Sequence, residues 1–379
     1  MIELTAAERE FSDQISAWSS ELSAEHIEWD RRGEFPWEKW KIVQQTDILR
    51  APFDAAWGGL NKSLPATMYA LERLGYGSRD AGLNFSISTQ LVSVAVPLQE
   101  FGTQALKDRY LPGILNGSLI CAHAITEPDH GSDVTNIQTT AARDGEHYVL
   151  NGSKIFITNG PIADLFMLYA RTGAAGNPLG ISVFLVERGT PGLSVGAPVE
   201  KMGLKTSPQC ELRFDTLRVP AANMVGVSGA GFLILDHVMK REILFSFSIT
   251  LGEMQYRLER CVARARQRKQ FGQPIGKFQS ISHRIADMKI AVESARKWLY
   301  DTGEKVATGS DSTLDVAATK VVVSEANMAT ALSALQIYGG AGYMAEQGIE
   351  KEVRNALAGT IYSGTSEIQR NRIASMLGL

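Results

Sequence analysis

The sequence predicts an α+β protein with a helical N-terminal domain, a central β domain and a C-terminal helical domain. Apolar residues recur at helical spacing up to the Asn116-Gly117 pair, where a helix stop is expected. From Ser118 to about Val227, β-branched and aromatic residues alternate with turn residues, and helical periodicity then returns. We therefore expect domains at residues 1–117, 118–228 and 229–379.

The N-terminal domain begins with a helix-capping signal. Thr5 is followed three residues later by Glu8, ahead of an amphipathic run towards Leu22, which is the pattern of a capping box. Further helices are predicted around Pro36 to Gln45, Ser63 to Leu74, Leu83 to Phe101, and Thr103 to Leu115.

The central domain carries a hairpin signal. Asp144-Gly145 and Asn151-Gly152 flank the short run EHYVL, and both dipeptides favour tight turns between strands. Further strands are predicted at Leu165 to Ala170, Ile181 to Glu187, and Glu211 to Phe214.

The stretch from Gly229 to Gln279 predicts a long helix that carries a carboxylate, Glu242, in an otherwise apolar run. An ionised Glu is rarely buried unless it is paired or functional, because desolvation raises its pKa towards that of a useful base. Two interpretations stay open: a functional base, or a structural Glu paired with Arg241 or another neighbour. The apolar residues that share its helical stripe are Leu235, Val238, Met239, Phe245 and Ile249, and further helices are predicted at Ser280 to Ala307, Thr313 to Tyr338, and from Thr365.

Composition excludes several classes of function. The net charge of −3 comes without a Lys/Arg-rich run, which argues against nucleic acid as a partner. The 3 cysteines form neither a CxxC pair nor a Cys/His cluster, so we expect no metal site and no disulfide framework. The start lacks an apolar signal core and no uninterrupted apolar stretch is long enough to span a bilayer, which predicts a soluble, cytoplasmic protein.

Two turn-rich segments are candidates for cofactor binding. HAITEPDHGSD, from His123 to Asp133, offers short polar side chains and exposed backbone N–H groups that suit the polar edges or phosphates of a cofactor. Its composition is equally typical of a surface turn. KIFITNG, from Lys154 to Gly160, carries the same ambiguity. The glycines from Gly339 to Gly342 follow a predicted helix rather than a strand, so they do not form a nicotinamide-dinucleotide fingerprint.

Taken together, six segments resemble the acyl-CoA dehydrogenase family over essentially the whole chain, and their order and spacing are more specific than any one segment. The resemblance implies a helical N-terminal domain, a β-barrel, a C-terminal helical bundle and a homotetramer or dimer of dimers. The segments are TEPDHGSD from Thr126, FITNG from Phe156, EKMGLKTSPQCELRFDTLRVP from Glu200, RKQFGQPIGKFQ from Arg268, QIYGGAGY from Gln336 and IYSGTSEIQR from Ile361.

The resemblance also implies bound FAD and assigns residues to it. The segment around His123, Ile125, Thr126 and Ser132 would face the flavin, and Phe156 and Thr158 would lie along its ring, with Thr158 near the redox nitrogen N5. A second copy of the chain would supply the adenine-side contacts. Those residues are Arg268, Phe271, Gln279, Gln336, Gly339 and Gly340, with Thr365 and Glu367 from the C-terminal segment. The predicted substrate contacts are Ser132, Arg241, Phe245 and Ser363.

One departure from the family pattern bears on the mechanism. Most relatives have Glu where this chain has Ser363, and that Glu removes the α-proton of the substrate. A Ser hydroxyl is a poor base without an activator. Isovaleryl-CoA and long-chain acyl-CoA dehydrogenases also lack that Glu and supply the base from the long helix, at the position of Glu242. The resemblance therefore predicts Glu242 as the catalytic base in an α,β-dehydrogenation that transfers a hydride to flavin N5.

Several stretches resemble a subgroup that acts on acyl groups tethered to a carrier protein in biosynthesis, including the L-prolyl-[peptidyl carrier protein] dehydrogenases. They begin at Tyr76, Lys154 and Ile361. The alternatives are a CoA thioester of the isovaleryl or short-branched type, a flavin-dependent oxidase or monooxygenase, and a non-enzymatic flavoprotein. Ile243 and Leu357 stand where relatives commonly have Arg, which indicates a changed acyl pocket or changed subunit contacts. The sequence indicates no particular electron acceptor.

Overall fold

The structure, a computed structural model, describes residues 5–379, so the first four residues of the predicted N-terminal domain lie outside the described part. The predicted order of helical, β and helical regions is confirmed. The helices of the first region are α1 (Ala6–Ala17), α2 (Ser19–Ser23), α3 (His26–Arg32), α4 (Trp37–Gln45), α5 (Leu64–Ser78), α6 (Ala81–Gln90), α7 (Val96–Phe101) and α8 (Gln104–Leu115).

The N-terminal helices follow their sequence signals closely. The capping box of α1 is present, because the Thr5 hydroxyl accepts from the Glu8 N–H and the Glu8 carboxylate accepts from the Thr5 N–H. A π-helical turn, Leu91–Ala95, joins α6 to α7. The short helix α3 was not predicted, because its N-cap residue Glu25 has φ 50° and makes no capping hydrogen bond.

The continuous helical run Ala81–Phe101 is long and apolar enough by composition to cross a membrane. In the structure, however, 89% of its apolar window is buried inside the protein. It is therefore packed as a core helix, with its apolar residues in contact with other elements rather than available to lipid.

The strands of the central region form one eight-stranded sheet in the order β6-β7-β3-β2-β4-β5-β8, with β1 pairing in parallel with β4. Paired strands that follow one another in the sequence are antiparallel, as in the β2–β3 hairpin around Gly145. The strands are β1 (Cys121–Ala124), β2 (Thr140–Asp144), β3 (His147–Thr158), β4 (Leu165–Arg171), β5 (Ile181–Glu187), β6 (Leu193–Val195), β7 (Gln209–Pro220) and β8 (Met224–Val225).

The prediction that Asn151-Gly152 forms a turn is wrong, because β3 runs through it. The Asn151 side chain accepts a hydrogen bond from the Thr216 N–H of β7, and the β3–β7 register shifts between Leu150 and Gly152. A side chain at Gly152 would place its Cβ 2.6 Å from the Thr139 hydroxyl. The dipeptide therefore marks a bulge and a close backbone approach within the sheet.

The C-terminal region contains the longest helix of the described chain, α9, which has 37 residues. The predicted helical stretch to Gln279 is interrupted after Gln267 by a small hairpin. The elements are α9 (Gly231–Gln267), β9 (Lys269–Gln270), β10 (Gln273–Pro274), α10 (Gln279–Ala307), α11 (Thr313–Tyr338), α12 (Gly340–Tyr343), α13 (Ile349–Ala358) and α14 (Ser366–Met376).

Helix α9 connects all three regions. It packs against α5 and α6 of the first region, β5 of the sheet, and α10 and α11 of the last region. Its approach to α5 depends on two glycines: a Cβ on Gly252 would lie 1.9 Å from the Glu72 carbonyl oxygen, and one on Gly75 would lie 2.0 Å from that of Ile249. The middle of α9 is thereby held between helices and sheet. The domain boundaries at 117/118 and 228/229 stay predictions, and both fall between elements.

Candidate active site

Glu242 lies in the N-terminal third of α9, and its carboxylate is hydrogen-bonded to Ser363, which precedes α14. The Ser363 hydroxyl donates to Glu242 Oε1 at 2.5 Å. Burial raises the pKa of Glu242 to about 7, against the opposing effect of this hydrogen bond, although part of the residue retains solvent exposure. Within residues 5–379, Glu242 makes no ion pair. The structure therefore does not support the alternative interpretation, in which Glu242 is a structural residue paired with Arg241 or another neighbour.

The loop that carries Ser363 is held in an unusual backbone conformation. Ser363 has φ 54° and is followed by Gly364 with φ 78°. The carbonyl oxygen of Ser363 accepts a hydrogen bond from the Gln369 side chain at 2.9 Å, which ties the loop to α14. The backbone N–H of Ser363 has no protein acceptor in the described chain. This loop therefore presents both a hydroxyl and a free N–H donor near the carboxylate.

The segment from His123 to Ser132 is fixed by a buried ion pair. Lys154 Nζ lies 2.9 Å from Glu127 Oε1, and their side chains are 0% and 4% exposed. Lys154 also donates to the Ile125 carbonyl at 2.8 Å, while the Ile155 N–H donates to that of Thr126 at 2.8 Å. Burial lowers the pKa of Lys154 to about 8. This pair, which was not predicted as part of the site, joins the two candidate cofactor segments.

Phe156 projects from a bulge in β3. Its φ of 59° and a register shift between Lys154 and Ile157 turn the ring outward, where it is 64% exposed. Two residues on, the Thr158 hydroxyl accepts a hydrogen bond from Gln209 at 3.0 Å. An exposed aromatic ring on a strained backbone beside a polar loop suits stacking with a planar ring system.

Two further polar groups face this region without a protein partner. His123 Nε2 and the Tyr169 hydroxyl are buried and make no hydrogen bond, and the two rings meet edge to face at 5.0 Å. Burial lowers the pKa of His123 to about 3, so the imidazole is neutral. Burial and the nearby Glu242 carboxylate raise the pKa of Tyr169. Tyr169 was missed because one hydroxyl in the apolar strand LFMLYAR gives no local signal.

The unpartnered His123 nitrogen and the exposed Phe156 ring fit FAD, the group that the resemblance implies. Polar atoms buried without a partner are costly, so a ligand that supplies hydrogen-bonding atoms would satisfy them. Ser132 is exposed at the end of the same segment, and Thr126 is half-buried. No group of three or more His, Cys, Asp or Glu side chains in the described residues is arranged for a metal ion.

The residues predicted to bind the adenine side lie at the other end of α9. Arg268 caps this helix, Phe271 is 93% exposed at the tip of the β9–β10 hairpin, and Gln279 begins α10. The guanidinium of Arg264 lies over the Tyr338 ring at 5.2 Å, which brings the end of α9 beside the end of α11. The remaining residues of this outer group are exposed at the end of α11, namely Gln336, Gly339 and Gly340.

The other predicted contacts are distributed around the site. Thr365 caps α14 by accepting from the Ile368 N–H at 3.2 Å, and Glu367 is exposed in the first turn of that helix. Arg241 is half-buried, and burial lowers its pKa against the opposing charge of Glu100. Phe245 is 1% exposed and belongs to the core. The roles of these residues stay predictions.

Comparison with known proteins identifies the family. Models of the acyl-CoA dehydrogenase N-terminal, middle and C-terminal domains match residues 5–118, 122–217 and 229–378. The L-prolyl-[peptidyl-carrier protein] dehydrogenase of a Serratia species is 41% identical over 342 residues, which cover 90% of this chain and 89% of the relative. The corresponding Pseudomonas fluorescens enzyme is 38% identical, with 91% of each chain covered.

Solved structures give the same result. The prolyl acyl carrier protein oxidase AnaB has a TM-score of 0.97 at 36% identity, with 100% of both chains covered. The FAD complex of PigA also has a TM-score of 0.97, at 37% identity, with 100% of this chain and 99% of that chain covered. The predicted fold, enzyme class and FAD cofactor are thereby confirmed. The chain belongs to the acyl-CoA dehydrogenase family of flavoproteins.

Proposed function

We propose that this enzyme dehydrogenates an acyl thioester held on a carrier protein, between the α- and β-carbons, with Glu242 as the catalytic base. The observation that carries the proposal is the contact between Glu242 and Ser363 at 2.5 Å. In this contact a carboxylate whose pKa is about 7 faces Ser363, and the resemblance implies that most of the family has its base at the position of Ser363. Such a base is well matched to proton removal near neutral pH.

The chain's own residues perform the proton transfer and bind the substrate. A carboxylate oxygen of Glu242 takes the proton from the carbon next to the thioester carbonyl. The free N–H of Ser363 donates to the carbonyl oxygen, on which negative charge develops. The residues around His123 and Phe156 would hold FAD, which would supply the acceptor for the hydride from the β-carbon. Burial around Glu242 excludes water from the enolate and raises the affinity of the base for the proton.

The FAD site needs two copies of the chain in this proposal. Glu242 and the end of α9 at Gln267 are 25 residues apart, which is roughly 38 Å along a straight helix. The inner group around His123 and Phe156 would bind the flavin, and the outer group around Arg268 and Phe271 would bind the adenine side of a cofactor in another copy. A homo-oligomer, tetramer or dimer, follows from this arrangement, and a cytoplasmic location in a biosynthetic pathway stays part of the proposal.

The carrier is proposed because the Serratia and Pseudomonas relatives are named as peptidyl-carrier enzymes. The test presents prolyl, butyryl and isovaleryl groups once on CoA and once on a phosphopantetheinylated carrier protein, under anaerobic conditions. We expect the visible absorption of the flavin to bleach with the carrier-bound prolyl group. Bleaching with CoA thioesters alone would identify a catabolic type of dehydrogenase, to which the isovaleryl-CoA dehydrogenase of Solanum tuberosum, 34% identical, also belongs by name.

A second candidate is an oxidase on the same fold, because the similar AnaB structure is named as an oxidase. Dehydrogenases and oxidases differ in how the reduced cofactor is reoxidised. Reduced enzyme mixed with air-saturated buffer in a stopped-flow instrument distinguishes them: reoxidation within one turnover time indicates an oxidase, and slow reoxidation indicates a dehydrogenase that needs a separate electron acceptor.

A further inference from the structure

Two buried serine hydroxyls meet one helical turn beyond the catalytic base. Ser88 of α6 and Ser246 of α9 are 0% and 4% exposed, and their Oγ atoms lie 2.7 Å apart. Ser246 follows Glu242 by four residues, so both side chains lie on the same face of α9. An acyl group that starts at Glu242 and extends along this face of α9 would meet the hydroxyl pair.

One hydroxyl hydrogen of the Ser88–Ser246 pair has no acceptor in the described chain. Each hydroxyl carries one hydrogen, and the contact between the two oxygens uses one of them. In the described chain, neither hydroxyl makes a second hydrogen bond. By contrast, the hydroxyl of Ser248, two residues further along α9, donates to the Leu244 carbonyl of its own helix at 2.7 Å. The spare hydrogen of the pair is thus available to an acceptor on a ligand.

The cavity that the pair lines is small. Its volume is about 30 Å³, and its lining includes Ser88, Ser246, Thr250 and Glu253 together with apolar side chains such as that of Leu204. Glu253 accepts a hydrogen bond from the Asn84 amide at 2.8 Å. Such a volume holds about one water molecule. A long aliphatic chain would have to displace water from polar groups here without replacing its hydrogen bonds.

Aromatic rings confine the same region from the side. Tyr362, the residue before Ser363, has its ring 4.7 Å from that of Phe85 and 5.7 Å from that of Phe247, with the second pair stacked. Phe85 and Tyr362 line the same cavity as the hydroxyl pair, so aromatic rings border the space that the pair faces. An acyl site with a polar inner end and aromatic walls matches a compact ring better than an extended chain.

We propose that Ser88 and Ser246 form the inner end of the acyl site and select a small acyl group with a polar ring atom over an all-carbon group of the same size. This inference rests on the proposed function. The hydroxyl pair can donate to a neutral ring nitrogen or accept from a ring N–H, so it suits a saturated nitrogen heterocycle in either protonation state. An all-carbon ring leaves the spare hydroxyl hydrogen unpaired, and this lowers the rate of its reaction.

The test compares two substrates that differ in one ring atom. Prolyl and cyclopentanecarbonyl groups are loaded on the same carrier protein, and the rate of anaerobic flavin reduction is measured for each. Wild-type enzyme is expected to prefer the prolyl group by roughly 10-fold or more. Equal rates with wild-type enzyme would overturn the inference and leave the proposed function intact, whereas absence of reduction by every acyl carrier would overturn the proposed function.

Variants test whether Ser88 and Ser246 cause the preference for the prolyl group. Replacing both hydroxyls, in Ser88→Ala/Ser246→Ala, is expected to bring the two rates within about threefold of each other, because both partners of the hydrogen bond are removed together. Ser248→Ala is the matched control, buried on the same helix, and keeps the wild-type ratio. If the double variant does not fold, Ser88→Ala serves instead. A wild-type ratio in a folded, FAD-loaded double variant would show that the pair only joins α6 to α9.

Discussion

Ser363 donates its hydroxyl hydrogen to the carboxylate of Glu242 at 2.5 Å, which joins a strained loop to the N-terminal third of α9. In the proposed mechanism, Glu242 on the helix is the base and Ser363 on the loop is its hydrogen-bond donor. Because a donor stabilises the ionised carboxylate while burial destabilises it, the hydrogen bond and the burial together set the pH at which Glu242 ionises.

Glu242→Gln should abolish flavin reduction while FAD stays bound. The amide keeps the shape of the side chain but cannot take a proton, and loss of a general base costs roughly 10²- to 10⁴-fold in rate. Glu259→Gln is the control, because Glu259 is a carboxylate on the same helix that accepts a hydrogen bond from the Tyr76 hydroxyl outside the proposed site, and its variant should keep the wild-type rate. Flavin reduction by substrate in a stopped-flow instrument, with FAD content from the visible spectrum, measures both effects. Undiminished reduction by Glu242→Gln would refute its role.

Ser363→Gly should shift the pH dependence of flavin reduction upward. The rate rises with pH as Glu242 ionises through its pKa of about 7. Removing a hydrogen bond to the ionised form raises that pKa by roughly one to two units, so more alkaline buffer is needed for the same rate. Glycine also tolerates the φ of 54° at this position. A pH profile of single-turnover reduction tests the shift, and an unchanged midpoint would mean that the hydroxyl does not influence the base.

Glu127→Gln should weaken both folding and FAD binding. It leaves the buried Lys154 ammonium without its anion, and breaking one side of a buried pair costs about 3–5 kcal/mol. The segment from His123 to Ser132 also loses its anchor. Glu211→Gln is the control, because its partner Arg213 is largely exposed and little change is expected there. Urea unfolding and FAD retention on gel filtration give the two readouts. Equal stability of the two variants would contradict this account.

Phe156→Ala should reduce FAD affinity about 2- to 10-fold without loss of stability. The ring is 64% exposed, so its removal leaves no core cavity, while a stacked aromatic pair contributes about 0.5–1.5 kcal/mol. Trp37→Ala, at an aromatic ring that is 51% exposed in the first region, is the control. Titration of the apo-protein with FAD, followed by the fluorescence of the flavin rather than of tryptophan, measures the change in FAD affinity. Unaltered affinity would remove Phe156 from the flavin site.

Mixed oligomers test whether one cofactor contacts two copies of the chain. Phe156→Ala damages the inner group and Arg268→Ala damages the outer group. If the groups of one site come from different copies, co-expressed variants carrying different tags should form some sites with both groups intact and regain flavin binding. Each variant alone stays impaired. Failure of doubly tagged oligomers to bind more FAD than either parent would place both groups in one copy.

Local sequence patterns determined most of the elements. The helix Thr313–Tyr338 and the strand Ile181–Glu187 have the predicted ends, because apolar periodicity and turn residues act within a few positions of each other. The sequence also placed Glu242 on the apolar stripe of α9, because the helical period alone decides which side chains share a face.

The tertiary structure alone decided which distant residues meet. Ser363 lies 121 residues from Glu242 in sequence, and Ser246 lies 158 residues from Ser88. Neither contact follows from a local pattern, since each depends on how α9 packs against other elements. The same holds for Asn151-Gly152, where the neighbouring strand overrides a strong turn signal. Local patterns therefore determined the elements and the position of Glu242 on its helix, whereas the hydrogen-bond partner of Glu242 and the contact between Ser88 and Ser246 depend on long-range packing.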